Sequence, residues 1–118
     1  MTQADQTRLE TERNLWLATV RPDGSPHLVP IWFVWHKNKA YLCTSNNSVK
    51  VKNIRENPRV AFALEGGDDP VLIEGTAKIL DNTPAEITAA FKQKFDWDIT
   101  GDATYNAIIE ITPKRVIL

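Results

Sequence analysis

Residues 14–35 read NLWLATVRPDGSPHLVPIWFVW. The first part, Leu15 to Val20, is an apolar run with the composition of a β-strand. Residues 21–25 then contain the proline and glycine that favour a tight turn. A second run, Pro26 to Trp35, is rich in β-branched and aromatic residues. Two such runs on either side of a short turn predict an antiparallel hairpin at the start of the fold.

Further strands and a few short helices are predicted along the rest of the chain. A turn at 36–39 leads into a third strand, so that three strands form a meander. The four Asn and Ser residues at 45–48 end that strand, and Ser48 is the natural N-cap of a short helix that Asn57-Pro58 terminates. The best helix signal lies at 84–95, where Thr83, Pro84 and Glu86 supply an N-cap, an N1 proline and a capping-box acid. The remaining predictions are an N-terminal helix within residues 1–13 and strands at 40–44, 59–65, 70–80, 107–112 and 115–118.

This order of elements predicts the fold class. Six or seven mostly sequential strands with two or three short helices fit a small antiparallel barrel of the mainly β, or α+β, class. A parallel sheet is disfavoured because its crossovers need a helix after nearly every strand. The 118 residues contain no repeat, linker or low-complexity segment, so we expect one domain, 1–118.

Composition limits the possible functions. The chain has 14 Lys and Arg against 15 Asp and Glu, so its formal charge of -1 provides no global field for nucleic acid or for an anionic membrane. One Cys allows no internal disulfide. No apolar run approaches the ~20 residues of a membrane span, and the first fifteen residues are too charged for a signal peptide. We therefore expect a cytoplasmic protein.

The acidic and basic residues are unevenly distributed along the chain. The 32 residues between Asp23 and Glu56 contain no acidic side chain, although they hold five basic ones. Two of these, Lys50 and Lys52, fall in the first turn of the short helix, where the helix dipole is already positive. Hydroxyls at 44, 45 and 48 and the free N–H groups of the helix start complete the donor set of a phosphate site. Phosphate binding and an ordinary solvated basic surface explain this pattern about equally well.

The strand after Pro26 is apolar on both faces. One face carries Leu28, Pro30, Trp32 and Val34, and the other carries His27, Val29, Ile31, Phe33 and Trp35. One face can fill the barrel core, and the other needs a second cover. A homodimer or a planar ligand between subunits would supply that cover, and packing of the helix at 84–95 would do so equally well.

Side chains for acid–base, nucleophilic or metal chemistry are sparse. The two histidines, His27 and His36, are not accompanied by a recognisable nucleophile motif, and with Cys43 they do not have the spacing of a metal site. We cannot name a catalytic residue from the sequence. If the chain is an enzyme, its chemistry belongs to a bound cofactor.

Several motifs in a fixed order resemble one known superfamily. They are Leu17-Ala18-Thr19-Val20, Asp23-Gly24-Ser25-Pro26, Val29-Pro30-Ile31-Trp32-Phe33, Cys43-Thr44-Ser45, Ser48-Val49-Lys50 and the run from Asn53 to Ala61. Over about residues 12–80 the chain resembles the pyridoxamine 5'-phosphate oxidase-like, FMN-binding split-barrel superfamily.

The resemblance implies a site and an assembly. The FMN phosphate would be held by Thr44, Ser48 and Lys50, with the Val49 backbone and Asn53 or Lys52 nearby. The isoalloxazine would lie along Val29, Pro30, Ile31 and Trp32, beside Cys43. Proteins of this kind are homodimers with two flavins at the interface. Relatives of this short form use FMN, the deazaflavin F420 or haem.

The leading hypothesis is a cytoplasmic, homodimeric FMN flavoprotein that acts as an oxidoreductase on a small organic substrate. An F420-binding reductase and a flavin-storage protein without turnover are the alternatives. A remote alternative is a small barrel that binds single-stranded nucleic acid through Trp32, Phe33 and Trp35.

Overall fold

The computed structural model describes residues 1–117. It is mainly β, with seven antiparallel strands in one curled sheet and three short α-helices, as the sequence predicts. The strands are β1 (Asn14–Val20), β2 (Pro26–Trp32), β3 (Val34–His36), β4 (Lys39–Thr44), β5 (Arg59–Leu64), β6 (Leu72–Leu80) and β7 (Ala107–Val116). The helices are α1 (Gln3–Thr11), α2 (Val49–Glu56) and α3 (Ala85–Phe95), followed by a 3-10 turn at Ile99–Gly101.

The sheet has the strand order β2-β1-β5-β6-β7-β4-β3. The predicted hairpin forms, with Leu17 opposite Val29 and Gly24 at a φ of 89° in its turn. The predicted meander is only partly correct, because β2 pairs with β1 whereas β3 pairs with β4. The run from 26 to 36 therefore supplies both edges of the sheet, and Phe33 alone separates the two strands.

Phe33 is fixed from both sides. Its ring is fully buried, its N–H donates to the carbonyl of Arg13 (3.1 Å), and its carbonyl accepts from the Lys94 ammonium (2.9 Å). Its peptide groups therefore find partners outside the strand ladders. The break in this strand was not visible in its continuous apolar pattern.

Two apolar clusters cover opposite faces of the sheet. The larger one fills the inside of the half-barrel, where Leu15, Leu17, Leu42 and Ile109 are fully buried, and α1 and α2 close it through Leu9 and Val51. The smaller one lies on the outside of β3, β4 and β7, beneath α3. Its members include Val34, Tyr41, Cys43, Ile87, Phe91 and Ile108.

The helix predicted as the cover of the apolar strand covers only part of it. Helix α3 packs on Val34, and Phe95 stacks on Trp32 with ring centroids 4.5 Å apart. Beyond it, Trp16, Leu28, Pro30 and Trp32 stay exposed along the outside of β1 and β2, with exposed fractions of 39% for Trp16 and 59% for Leu28. Trp16 is directly opposite Pro30. We call these four residues the outer apolar patch.

Two details of the predicted elements are wrong. Helix α3 begins one residue late, with Pro84 as an N-cap that makes no side-chain bond, so Thr83 does not cap it. Glu86 does not close a capping box, because its carboxylate lies 3.5 Å from His36 Nε2 and 3.8 Å from Lys37 Nζ.

The predicted strands at 107–112 and 115–118 are one strand, β7; Leu118 lies outside the described residues. Pro113 does not break β7, because it faces Gly75 at an irregularity of the β6–β7 register. None of the helices within residues 1–117 has the length and hydropathy needed to cross a membrane.

Candidate functional site

A cavity of about 510 Å³ opens between β2, β4, the start of α2 and the segment before β7. Six of the ten predicted site residues line it, namely Pro30, Ile31, Trp32, Cys43, Thr44 and Lys50. A second cavity of about 340 Å³, beside Arg59 and Gly75, contains none of the ten. The first cavity is therefore the candidate site.

Strand β4 and helix α2 position the polar end of the cavity. Ser48 caps α2 as predicted, since its Oγ accepts from the Val51 N–H at 3.4 Å. Asn46 anchors the preceding loop: its backbone N–H donates to the Asn106 side chain at 2.9 Å, and its side-chain amide oxygen accepts from Arg55 at 2.9 Å. Thr44 is 3% exposed at the end of β4. These contacts hold the N-terminus of α2 against the cavity.

Lys50 is the cation of the cavity. Burial lowers the pKa of its amine from the ordinary value, because the charged form loses water around it. Within residues 1–117 no ion pair engages this amine, and the first turn of α2 carries no acidic residue. A partly desolvated ammonium at a helix N-terminus is stabilised by an anion.

The other four predicted site residues do not line the cavity. Ser48 uses its hydroxyl as a cap, and Val49 is 47% exposed beside it. Asn53 is 2% exposed, and its amide donates to Thr19 Oγ1 at 3.0 Å, so this side chain fastens α2 to β1. Val29 is half-buried on the opposite face of β2 from Pro30. For Asn53 the structure shows a packing role in the fold.

Cys43 lies on the cavity floor and is 5% exposed. Its Sγ donates to the Tyr105 carbonyl at 3.4 Å. Burial, with the nearby Asp102 charge, raises the pKa of the thiol to about 12. The side chain is therefore a protonated thiol at neutral pH, in agreement with the absence of a nucleophile motif.

One wall of the cavity was missed by the sequence analysis. It comes from the segment 96–106 between α3 and β7 and consists of Trp97, Asp102 and Tyr105. The indole of Trp97 is nearly perpendicular to the Tyr105 ring, at 88° with centroids 5.6 Å apart. It is also edge-on to Trp32, at 69° and 6.3 Å. No sequence motif points to this wall, because it depends on where α3 docks.

Asp102 organises that wall. Its Oδ1 accepts the N–H groups of Thr104 (2.9 Å) and Tyr105 (2.8 Å), and its Oδ2 accepts the Trp97 indole N–H (3.2 Å). The backbone bond from Tyr105, with those from Thr104 and Trp97, lowers the pKa of this carboxyl. The carboxylate is thus ionised at neutral pH.

The architecture and the site geometry define a class, that of the small split barrels. Over residues 1–118 the sequence matches the pyridoxamine 5'-phosphate oxidase family, and the chain belongs to that family.

Several solved structures share the fold. An F420 reductase is 24% identical with a TM-score of 0.79 and 98% of both chains covered. A conserved hypothetical protein of Mycobacterium tuberculosis is 28% identical with a TM-score of 0.76, covering 98% of this chain and 82% of that one. The haem storage protein of Vibrio cholerae is 18% identical with a TM-score of 0.80, covering 96% and 90%. A search of the curated proteins found no match.

Proposed function

We propose that this chain is an FMN-binding oxidoreductase of a small organic substrate, and that it works as a homodimer with the cofactor at the subunit interface. The observation that carries the proposal is the partly buried Lys50 beside the N-terminus of α2, which no ion pair engages within residues 1–117, in a cavity whose other wall is apolar and aromatic. Family membership supports the same reading.

The donor set fits a phosphate ester. Lys50 supplies the charge, the first turn of α2 supplies N–H groups, and Thr44 supplies a hydroxyl on the cavity wall. Each charge-assisted hydrogen bond is worth about 1.5–3 kcal/mol, and three of them would provide a large part of the ~8 kcal/mol of a micromolar complex. Lys50 and Thr44 would hold the phosphate, with Ser48 and the Val49 backbone at its side.

The apolar half of the cavity fits a flat ring system. Pro30, Ile31 and Trp32 form one side, and Cys43 forms the floor. FMN, when bound, supplies hydride or electron transfer, and this chain supplies position and a water-poor surface. The protonated Cys43 thiol takes no nucleophilic part in that arrangement.

The outer apolar patch supports the homodimer. Trp32 belongs both to this patch and to the cavity, so a second copy seated on the patch would also close the open side of the cavity. Exposed apolar surfaces of this kind mark interfaces in proteins that are otherwise polar outside.

Absorption spectroscopy tests the cofactor directly. We expect the purified protein, or the protein titrated with FMN, to show a flavin spectrum shifted from that of free FMN, and mass analysis of the heat-released ligand to give FMN. Protein that stays colourless and does not bind added FMN or F420 would contradict the proposal.

The deazaflavin F420 is a second candidate. The structure named F420 reductase covers 98% of this chain at 24% identity, which supports F420 as the alternative to FMN. Competitive titration separates the two, since preferential binding of F420 would change the assigned cofactor and leave the phosphate role of Lys50 in place.

A second structural observation bears on the nucleic-acid alternative. Phe33 is fully buried and Trp35 half-buried, while only Trp32 is exposed. These three aromatics therefore do not form one surface on which bases could stack.

A further inference from the structure

The wall formed by Trp97, Asp102 and Tyr105 has no part in holding a phosphate. It lines the cavity next to the apolar strand, since Trp97 contacts Trp32, and the charge that it carries, on Asp102, is negative. Repulsion between carboxylate and phosphate would place an anionic group at the Lys50 end instead. The wall is therefore available to contact a second ligand.

Its aromatic rings have the geometry of a partial cage. Trp32, Trp97 and Tyr105 all line the cavity, and the successive ring planes meet at 69° and 88°. Rings in such edge-to-face contact present surfaces of different orientation to the cavity that they line. The faces of Trp and Tyr rings attract organic cations, and quaternary ammonium groups are recognised by cages of this type.

The charge balance of the cavity selects the same ligand class. Within the described residues neither Lys50 nor Asp102 takes part in an ion pair. The proposed cofactor would neutralise Lys50 and leave the Asp102 carboxylate as the uncompensated charge of the cavity. This step rests on the proposed function.

We infer that the corner between Trp97 and Tyr105, beside Asp102 and next to Trp32, is the substrate half-site and takes an organic cation, either a quaternary ammonium or an N-alkylpyridinium. The rings contact the alkylated or delocalised cation, and the carboxylate adds attraction without a strong hydrogen bond. Trp97 and Tyr105 supply the cation contact, because Trp32 is already engaged by the Arg13 guanidinium, which lies outside the cavity, 4.9 Å and 4.8 Å from the ring centroids of Trp32 and Phe95.

Calorimetric titration tests this half-site. The probes are choline and N-methylpyridinium, and the control is 3,3-dimethyl-1-butanol, the uncharged isostere of choline. We expect the cations to bind roughly tenfold or more tightly than the alcohol. Equal binding of choline and its isostere would overturn the inference.

Matched variants assign the binding to named residues. Asp102→Asn keeps an oxygen for the backbone N–H groups, but it removes the charge and the acceptor of the Trp97 indole N–H, and we expect it to weaken cation binding severalfold. Asp98→Asn, on the exposed carboxylate that caps the 3-10 turn, is the control and leaves binding unchanged. Tyr105→Ala should weaken binding whereas Tyr105→Phe should retain it, because only the ring is required. Wild-type affinity in both Asp102→Asn and Tyr105→Ala would refute the assignment.

Binding measurements with both ligands distinguish a failure of the proposed function from a failure of this inference. With FMN bound, cation affinity should rise, and FMN affinity should rise by the same factor when the cation is present. Cation binding without any FMN or F420 binding would refute the proposed cofactor and leave the proposed cation half-site in place. FMN binding without cation binding, or with an unchanged cation affinity, would refute the inference and keep the cofactor.

Discussion

At the scale of single residues, Lys50 is the side chain whose role can be measured most directly. Lys50→Ala removes one charged partner of the proposed phosphate, and we expect FMN binding to weaken by about 1.5–3 kcal/mol, roughly tenfold to a hundredfold, with the fold intact. Titration of the protein with FMN measures this loss. Lys52→Ala is the matched control, because this lysine, two residues on, is exposed and does not line the cavity. An unchanged dissociation constant in Lys50→Ala would remove Lys50 from the site.

The substitution Gly75→Ala tests how closely strands β6 and β7 pack, because it adds a single carbon atom between them. A Cβ built there would collide with the backbone oxygen of Thr112, which belongs to β7 and cannot move away as a side chain can. We expect Gly75→Ala to lower the free energy of unfolding by about 1–3 kcal/mol, measured by denaturant titration. Gly67→Ala, where a Cβ meets nothing within 4 Å, should change it little. A neutral Gly75→Ala would show that β6 and β7 are less closely paired than described.

At the scale of elements, strands β4 and β7 share a buried polar pair. The Tyr41 hydroxyl donates to Glu110 Oε2 at 2.9 Å, and Tyr41 is 6% exposed. Burial, together with the Glu110 charge, raises the pKa of Tyr41 to about 12. On the outer side Lys39 and Lys78 lie 3.7 Å and 3.6 Å from Glu110.

This pair predicts a loss of stability in alkali. Below the unfolded pKa of about 10 the phenol is protonated in both states, and between about 10 and 12 only the unfolded chain releases the proton. The free energy of unfolding should therefore fall with rising pH in this window, by about 2–3 kcal/mol in full. Unfolding of Tyr41→Phe and of the control Tyr105→Phe over pH 8–11.5 measures this contribution. The same decline in Tyr41→Phe as in wild type would contradict it.

Elements with a local signal were predictable from the sequence. The hairpin at 14–32 follows from two apolar runs of β-strand composition and the turn chemistry between them, and the cap of α2 follows from Ser48. Features that depend on distant partners were not. Glu86 failed as a capping acid because the β3–β4 turn offers it His36 and Lys37, and the break at Phe33 depends on Arg13 and Lys94.

The candidate site also contains some residues that were predictable from the sequence and others that were not. Its strand and helix residues, such as Ile31 and Lys50, belong to continuous motifs and were predicted as neighbours of one ligand; they line one cavity. Trp97, Asp102 and Tyr105 belong to an irregular segment whose position follows from the docking of α3 onto β4 and β7. Asn53 has the right place in sequence, but its side chain packs against β1.

At the scale of the whole molecule, the outer apolar patch leads to a test of assembly. Leu28→Lys places a charge on an exposed residue of the patch, and we expect it to convert the proposed homodimer to a monomer. Sedimentation equilibrium measures the mass, and Val116→Lys, on another exposed apolar residue, is the control. Wild-type protein that sediments as a monomer would contradict the homodimer.

Phe33 has a consequence for how the molecule opens. The two outermost strands of the sheet, β2 and β3, are consecutive in the chain and meet at this one buried residue. Neither edge strand can separate from its neighbour in the sheet without straining the other edge, because Phe33 connects the two strands directly. We expect the amide protons of β2 and β3 to exchange with solvent at closely similar free energies of opening, as one cooperative unit. In an ordinary open sheet the two edge strands would open independently.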